Sequence, residues 1–437
     1  MKSGDTDVTD TTAGMPNGAA TDRGDNQMRA FGLAKEILIP EKVEMEKWAV
    51  IACDQFTSQP EYWNEVKEIV GNCPSTLSLI YPEVWLGENR EQRIRNIHRN
   101  MREMLDKGLF SGFDGYVYVE RTLRDGSVRQ GIVGCIDLET YDYHPSSKAA
   151  VRATEKTVTE RIPPRMEIRR GAMLELSHVL LLCSDEKRQV IEQLGELKKN
   201  PPLYDFDLMQ GGGHLTGWRC TGPAAERFEE ALNEYENRMI EKQGNADSAL
   251  LYAVGDGNHS LATAKECYEE EKARNPERDP KTLLSRYAMV ELENVYSDAL
   301  QFEPIHRIVK GTDPATLLKA LEPLCAEDGI KVRWIAGAES GTLNLSCQGK
   351  LPVAVLQDAL DRFLEDHPGE MDYIHGEESL AKLAAADRTV GFLLPGMDKG
   401  ELFPGIINGG VLPRKTFSMG HAEEKRYYLE ARQIRQE

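Results

Sequence analysis

At 437 residues the chain is long enough for two or three domains or one elaborated one, and a hydrophobic fraction of 40% supplies a sizeable core. Its formal net charge of −19, from 72 acidic against 53 basic residues, argues against a nucleic-acid or anionic-membrane partner and leaves room for a local basic pocket. Eight cysteines with no C-x-x-C pair argue against a zinc ribbon or a thioredoxin-type centre and read as reduced and cytoplasmic, and no apolar run approaches the roughly 20 residues that span a bilayer.

Residues 1–27 are rich in Gly, Asp, Thr and Asn, which predicts a disordered tail. Ordered structure is expected from about Phe31, with a first strand over 36–40. Trp48-Ala49-Val50-Ile51-Ala52-Cys53 reads as a buried strand ending at Asp54. Pro60 and Glu61 signal the start of a helix through Tyr62, Val66 and Ile69. A second helix covers 88–108 and stops at Gly108. Strands over 116–121 and 131–137 flank the turn Arg124-Asp125-Gly126.

The middle of the chain alternates. A strand over 178–183 precedes a charged helix over 185–198, closed by Pro201-Pro202. Strands over 205–209 and 214–219 flank three glycines at 211–213, and a helix follows over 223–241. A buried strand at 250–254 leads into a glycine loop and a helix over 259–273, then a strand over 287–292. Thr312-Asp313-Pro314 caps a helix that opens a second half, with helices over 315–325, 354–365 and 376–386 and strands over 330–336, 342–347 and 389–394. The alternation predicts a mixed α/β (α+β) chain: a core over 28–310 with insertions, and a C-terminal α/β region over 311–437 packing on it.

The loop Gly255-Asp256-Gly257-Asn258-His259-Ser260 joins that strand to that helix. Glycines permit a tight turn and close backbone approach to a ligand. Unpaired N–H groups at a helix start favour an anion, and His259 and Ser260 add donors in the first turn. Glu266, Glu269, Glu270 and Glu271 crowd the far part of the helix, where the dipole disfavours them, while beyond Asp256 no carboxylate occupies its start. A phosphate fits this order. The alternative is an ordinary β-turn with Asn258 as N-cap. No G-x-x-x-x-G-K-[ST], H-E-x-x-H or G-x-S-x-G occurs, which disfavours a conventional P-loop ATPase, a zincin and a lipase-type hydrolase.

Gly255 to Ala264 resembles the "DGHHR…A" signature of the family known as domain of unknown function 1015, a distant relative of ParB, sulfiredoxin and archaeal free-serine kinase. The resemblance extends over about 35–430. It includes "ACDQFTSQPEYW" at 52–63, similar to the family's early "PYD" segment, "RATEKTVTERIPPR" at 152–165 and "EPIHR" at 303–307. Ser260 and Asn258 stand where many members carry Arg and His. The resemblance implies a ParB/sulfiredoxin-like nucleotide-binding core. It also draws attention to Arg152, Thr154, Glu155 and Thr157.

Between 148 and 170, seven cationic residues (Lys148, Arg152, Lys156, Arg161, Arg165, Arg169 and Arg170) stand against Glu155, Glu160 and Glu167, a local excess of positive charge in an acidic protein. Arginine forks suit phosphate oxygens, although a solvated helix face gives the same pattern. Gly255, Gly257, Asn258, Ser260, Arg152, Thr154, Thr157 and Arg165 are thus the expected phosphate-binding residues. Asp54, Glu155, Asp256 and His259 are the candidate catalytic groups. Asp54 and Asp256 can orient a hydroxyl, hold Mg²⁺ or simply shape turns. His214 reads as a buried, satisfied histidine, His306 is open between a site and a structural role, and Lys415 reads as a surface lysine, the alternative being a charge brought to the site from the C-terminus.

Two functions fit. One is a nucleotide-dependent phosphotransferase using Mg²⁺ with ATP or ADP on a small hydroxyl substrate, free serine being what the resemblance implies. The other is a nucleotide- or phosphate-binding regulatory switch without catalysis. The partners expected are a small-molecule substrate and a nucleotide, with no membrane; the sequence leaves the oligomeric state open.

Overall fold

The computed structural model describes residues 30–87 and 89–435; the expected tail at 1–27 lies outside them. Two main sheets organise the chain. The larger is mixed and runs in the order Tyr141–Asp142, Val151–Ala153, Tyr252–Asp256, Leu180–Cys183, Tyr287–Asn294, Val128–Asp137, Phe110–Thr122, Ala34–Pro40, Ala431–Gln433 and Leu174–Leu176. Phe31–Gly32 joins it beside Val128–Asp137, and the hairpin Tyr204–Asp207/His214–Cys220 joins it through Phe110–Thr122. The smaller sheet runs Glu339–Leu345, Cys325–Ala336, Thr389–Leu393, Phe302–Lys310, Glu370–His375, with Phe417–Met419 on the start of Phe302–Lys310. The mixed α/β class read from the sequence is the class observed.

The central strands carry apolar residues on both faces. Leu180–Cys183 is buried throughout, as is Thr389–Leu393. One apolar cluster runs from Phe31 and Tyr116 through Leu181, Tyr252 and Leu292 to Val332 and Phe392, so the two sheets share a core. A second cluster fills the other face of the large sheet, under Trp48, Trp63 and Trp85. Among the described residues no helix is long and apolar enough to cross a membrane, and all eight cysteines are free.

Several local expectations shift. The strand read over 48–53 shortens to Val50–Ile51, and Trp48 ends a short helix, Met45–Trp48. The charged helix read over 185–198 is a 3₁₀ segment, Glu192–Lys199. The boundary expected at 310 falls at the end of Phe302–Lys310, a strand of the smaller sheet, while the last strand, Ala431–Gln433, returns to the larger one. That return rests on ionic contacts inside the protein. Buried Arg426 donates to Glu291 at 2.6 Å and to Glu430 at 2.8 Å, and Arg432 donates to Glu175 at 2.9 Å. Buried charges need such partners, because an unpaired one costs several kcal/mol.

Candidate functional site

The Tyr252–Asp256 strand lies parallel to Val151–Ala153 on one side and antiparallel to Leu180–Cys183 on the other. Its register with the latter shifts between Val254 and Asp256, so Gly255 is an extra residue at the strand exit. Such a bulge re-aims the chain. Gly257 follows at φ +82°, a left-handed conformation that glycine adopts without strain. The Asn258–Arg274 helix begins there with no side-chain cap and no acidic residue in its first turn. Helix geometry leaves its first N–H groups without acceptors of their own. The Oδ1 atom of Asn258 and the Oγ1 atom of Thr157 are buried with no hydrogen-bond partner among the described residues.

Because Leu180–Cys183 runs antiparallel to Tyr252–Asp256, the residues before it lie beside the loop. His178 is among them and is buried. Its Nε2 lies 3.3 Å from Ser260 Oγ and 3.9 Å from Asp54 Oδ2, and its Nδ1 lies 2.8 Å from Tyr428 Oη. Asp54 and Tyr428 arrive together because Val50–Ile51 pairs with Tyr427–Tyr428. Tyr428 Oη also contacts Cys53 Sγ at 3.1 Å. Burial, with Asp54 alongside, pushes the Cys53 thiol up to about 11, so it stays neutral at physiological pH. Burial would likewise raise Asp54. The His178 ring, the Gln55 amide, Lys425 and Arg165 outweigh it and hold Asp54 below its ordinary value.

Positive charge reaches the loop from outside it. Lys425 Nζ lies 3.3 Å from Asp256 Oδ2, the two side chains being 13% and 20% exposed. Lys425 is held by its own backbone: buried Arg121 donates to the carbonyls of Glu423, Glu424 and Lys425 at 2.7–2.8 Å. Arg165 comes from the Ile162–Arg170 helix, which packs along the Asn258–Arg274 helix, and is paired with Glu83. The imidazole of His259 reports this field. Burial first, then Arg165, Arg161 and Arg414, push it down to about 4 against an opposing pull from Asp54. Its Nε2 accepts the Val158 N–H at 3.2 Å. The ring is therefore neutral at pH 7 and carries its proton on Nδ1.

Not every expected residue joins this group. Arg152 donates to the carbonyls of Ala149 and Ser248, at the entry to the Tyr252–Asp256 strand and away from the loop at its exit. Thr154 Oγ1 is buried and donates to Val254 O at 2.7 Å, a cross-strand bond. Both oxygens of Glu155 accept backbone N–H groups, from Lys415 and Thr416 at 3.1 Å, so it clamps the 412–416 segment. Burial nonetheless leaves its carboxyl raised. The N–H of Gly257 is taken by Asp256 Oδ1 at 2.9 Å. A Cβ on Gly255 would lie 2.9 Å from Leu182 and Met419, so that glycine serves packing. No three His, Cys, Asp or Glu side chains among the described residues gather into a metal cluster, and Asp256 faces an ammonium group. His178, Tyr428 and Lys425 were not expected from the sequence. Each reaches the loop through strand pairing or side-chain contacts between residues far apart in the chain.

Behind Ser260 and His178 opens a cavity of about 170 Å³, walled by the Ile162–Arg170 and Asn258–Arg274 helices and by Leu174–Leu176 of the large sheet. Its walls are mainly aliphatic.

The chain belongs to the family described as Protein of unknown function (DUF1015), whose model matches residues 35–435. No curated protein matches the sequence. Among solved structures, it is similar to a free serine kinase variant in complex with AMP, at 12% identity over 68% of this chain and 91% of that one, with a TM-score of 0.36. A conserved hypothetical protein from Pyrococcus furiosus matches at 12% identity over 68% and 94%, with a TM-score of 0.33. SbnI with C-terminal truncation from Staphylococcus aureus matches at 8% over 66% and 82%, with a TM-score of 0.34.

Proposed function

We propose that the protein binds the phosphates of a nucleotide at the start of the Asn258–Arg274 helix and transfers a phosphoryl group to a small hydroxyl compound. One observation carries the reading. An uncapped helix start with no acidic residue in its first turn lies beside Lys425, which pairs with Asp256, and beside His259, which burial and the fields of Arg165, Arg161 and Arg414 hold neutral. Oriented N–H groups and fixed cations are what phosphate oxygens require. Phosphoryl transfer asks mostly for positioning and charge neutralisation.

In this reading the terminal phosphate sits on the amides of Asn258, His259 and Ser260, with His259 Nδ1–H and Asn258 as further donors. The acceptor hydroxyl lies between Asp54 and His178. Its oxygen forms a bond to the terminal phosphorus, the bond from phosphorus to the bridging oxygen breaks, and the hydroxyl proton passes to His178 Nε2. Asp54 is a weak base, since Gln55, Lys425 and Arg165 favour its carboxylate even when the His178 ring is neutral. It suits orientation of the hydroxyl or contact with a Mg²⁺ carried in on the nucleotide, where one or two carboxylates suffice. That ion would neutralise phosphate charge. Free serine remains the acceptor suggested by the family resemblance.

The weakness of Asp54 as a base also favours a second reading, a nucleotide-binding switch that does no chemistry. One experiment separates them. Phosphate, ADP and ATP are titrated calorimetrically with and without Mg²⁺, and the same nucleotides are then incubated with L-serine and other alcohols and assayed for phosphorylated product. Binding with turnover supports the transferase, and tight binding without product supports the switch. If neither phosphate nor nucleotide binds, the loop is a turn and both readings fall.

A further inference from the structure

We infer that the hydroxyl acceptor carries an apolar group about as large as a benzene ring, seated in the cavity behind Ser260 and His178. The inference rests on the phosphotransfer reading and narrows its substrate class. The cavity measures about 170 Å³, and an apolar protein cavity of about 150 Å³ holds benzene. Leu79, Ile80, Met101, Leu174, Leu261 and Met289 supply its apolar wall. Leu86, which also lines it, is 44% exposed and gives the entrance an apolar lip.

The polar side chains of the wall are already engaged with one another or with the backbone. Tyr81 donates to Trp85 O at 3.2 Å, Arg169 to Glu175 at 2.6 Å, and Thr263 to His259 O at 2.7 Å. Glu83 holds Arg165. Away from Ser260 and His178, a polar group entering this space would give up water and meet side chains already paired, at about 1–3 kcal/mol each. An apolar group gains roughly 25 cal/mol for each Å² removed from water. The edge of a nucleobase would be left unpaired there, so the cavity is not suited to the base of the nucleotide. Free serine has an ammonium and a carboxylate to satisfy and no apolar side chain to fill the space.

The polar end of the cavity is formed by Ser260, His178, Tyr428 and Cys53, which touch one another; His178 among them is the proposed proton acceptor, and Ser260 carries one of the proposed phosphate-binding amides. A hydroxyl at that end and an apolar body in the cavity therefore belong to one molecule. The acceptor class is a small aromatic or branched aliphatic alcohol.

The test uses the full chain and three probes: 2-phenylethanol, glycerol and L-serine, titrated by ligand-observed NMR. Inorganic phosphate is titrated in parallel by calorimetry. Phenylethanol should bind at least tenfold more tightly than glycerol or serine. Ala288→Leu and Ala264→Leu, which fill the cavity from the sheet and from the helix, should each weaken it at least tenfold and leave phosphate binding unchanged. Two variants are used so that the answer survives if one fails to fold, as judged by its melting curve. The inference is overturned if serine or glycerol binds as well as phenylethanol, or if a folded filled variant binds it undiminished. Phosphate binding without alcohol binding sinks this inference alone. Alcohol binding without phosphate binding sinks the phosphate site and leaves the apolar ligand class standing.

Discussion

His259 offers a sharp test of the charge arrangement around the loop. Its imidazole is pushed down to about 4 in the folded protein, against an ordinary value near 6.5. A histidine with a lowered folded value gives stability that is present above the unfolded value and is lost as pH falls towards the folded one. The unfolded chain binds the proton first, so the window is pH 6.5 down to 4. At pH 5 the full shift corresponds to about 2 kcal/mol; the ring is partly exposed, and screening reduces the expected figure to about 1 kcal/mol. His259→Gln removes the titration while keeping a polar side chain. Urea unfolding of both proteins at pH 7, 6 and 5 isolates the effect, because all other titrating groups cancel in the difference. The stability of the parent relative to the variant should fall by about 1 kcal/mol between pH 7 and pH 5. Saturating phosphate should flatten that slope, since an anion at the helix start favours the imidazolium. A difference that stays level from pH 7 to pH 5 refutes both the buried neutral imidazole and the cationic field inferred from it.

Three other outcomes follow from the same geometry. Lys425→Met strips Asp256 of its cation and should cost about 1–3 kcal/mol, less than a fully buried pair, and weaken phosphate binding at least tenfold. Adding Asp256→Asn should restore the melting temperature but not the affinity, and recovery of both would remove Lys425 from the binding site. Gly257→Ala forces an alanine to φ +82° with its Cβ 3.0 Å from Val179 Cα, a penalty of about 1–2 kcal/mol or more in chemical unfolding; an unchanged midpoint would contradict the left-handed turn. Tyr428→Phe removes the hydroxyl that steadies His178 and should cost about 1 kcal/mol, with product formation reduced and ADP affinity kept. Equal losses in affinity and turnover would make Tyr428 a general structural residue.

The strand–loop–helix unit was legible because it is local. Apolar residues at 250–254, two glycines and the apolar face of Leu261, Ala264 and Tyr268 are contiguous, and the structure has strand, bulge and helix in that order. The shortened strand at Val50–Ile51 shows where local reading stops. Six apolar or small residues in a row look like one strand, yet Trp48 closes a helical turn and its indole donates to Leu429 O at 2.9 Å, a partner 381 residues away. Arg152 failed for a related reason. Its charge suits phosphate, but strand register sets its guanidinium against Ala149 and Ser248 at the far end. Lys425 and Tyr428 carry no local signal, because their role is created by pairing with segments near residues 50, 121 and 178.

That dependence has a physical consequence for how the site is held. The loop brings amides but no positive charge of its own, since Asn258, His259 and Ser260 are neutral and Asp256 is a carboxylate. The cations come from the Ile162–Arg170 helix and from the returning C-terminal segment. The latter is fixed by arginines that spend their donors on backbone carbonyls: Arg121 on Glu423, Glu424 and Lys425, Arg129 on Glu424 at 3.0 Å, and Arg426 on Ser177, next to His178. A guanidinium spreads five donors over three nitrogens of a fixed plane and so reaches carbonyls on opposite sides, which the three donors on a lysine's single nitrogen cannot. The segment is thereby set from three directions, and the backbone that carries Lys425 and Tyr428 to the loop is fixed by these contacts. Loosening this clamp acts on the site at a distance. Arg121→Lys should keep the buried positive charge, lose most of the carbonyl contacts, and weaken phosphate binding although Arg121 touches no part of the loop. Phosphate affinity unchanged in a folded Arg121→Lys protein would mean that Lys425 finds Asp256 without help, and that the clamp serves stability alone.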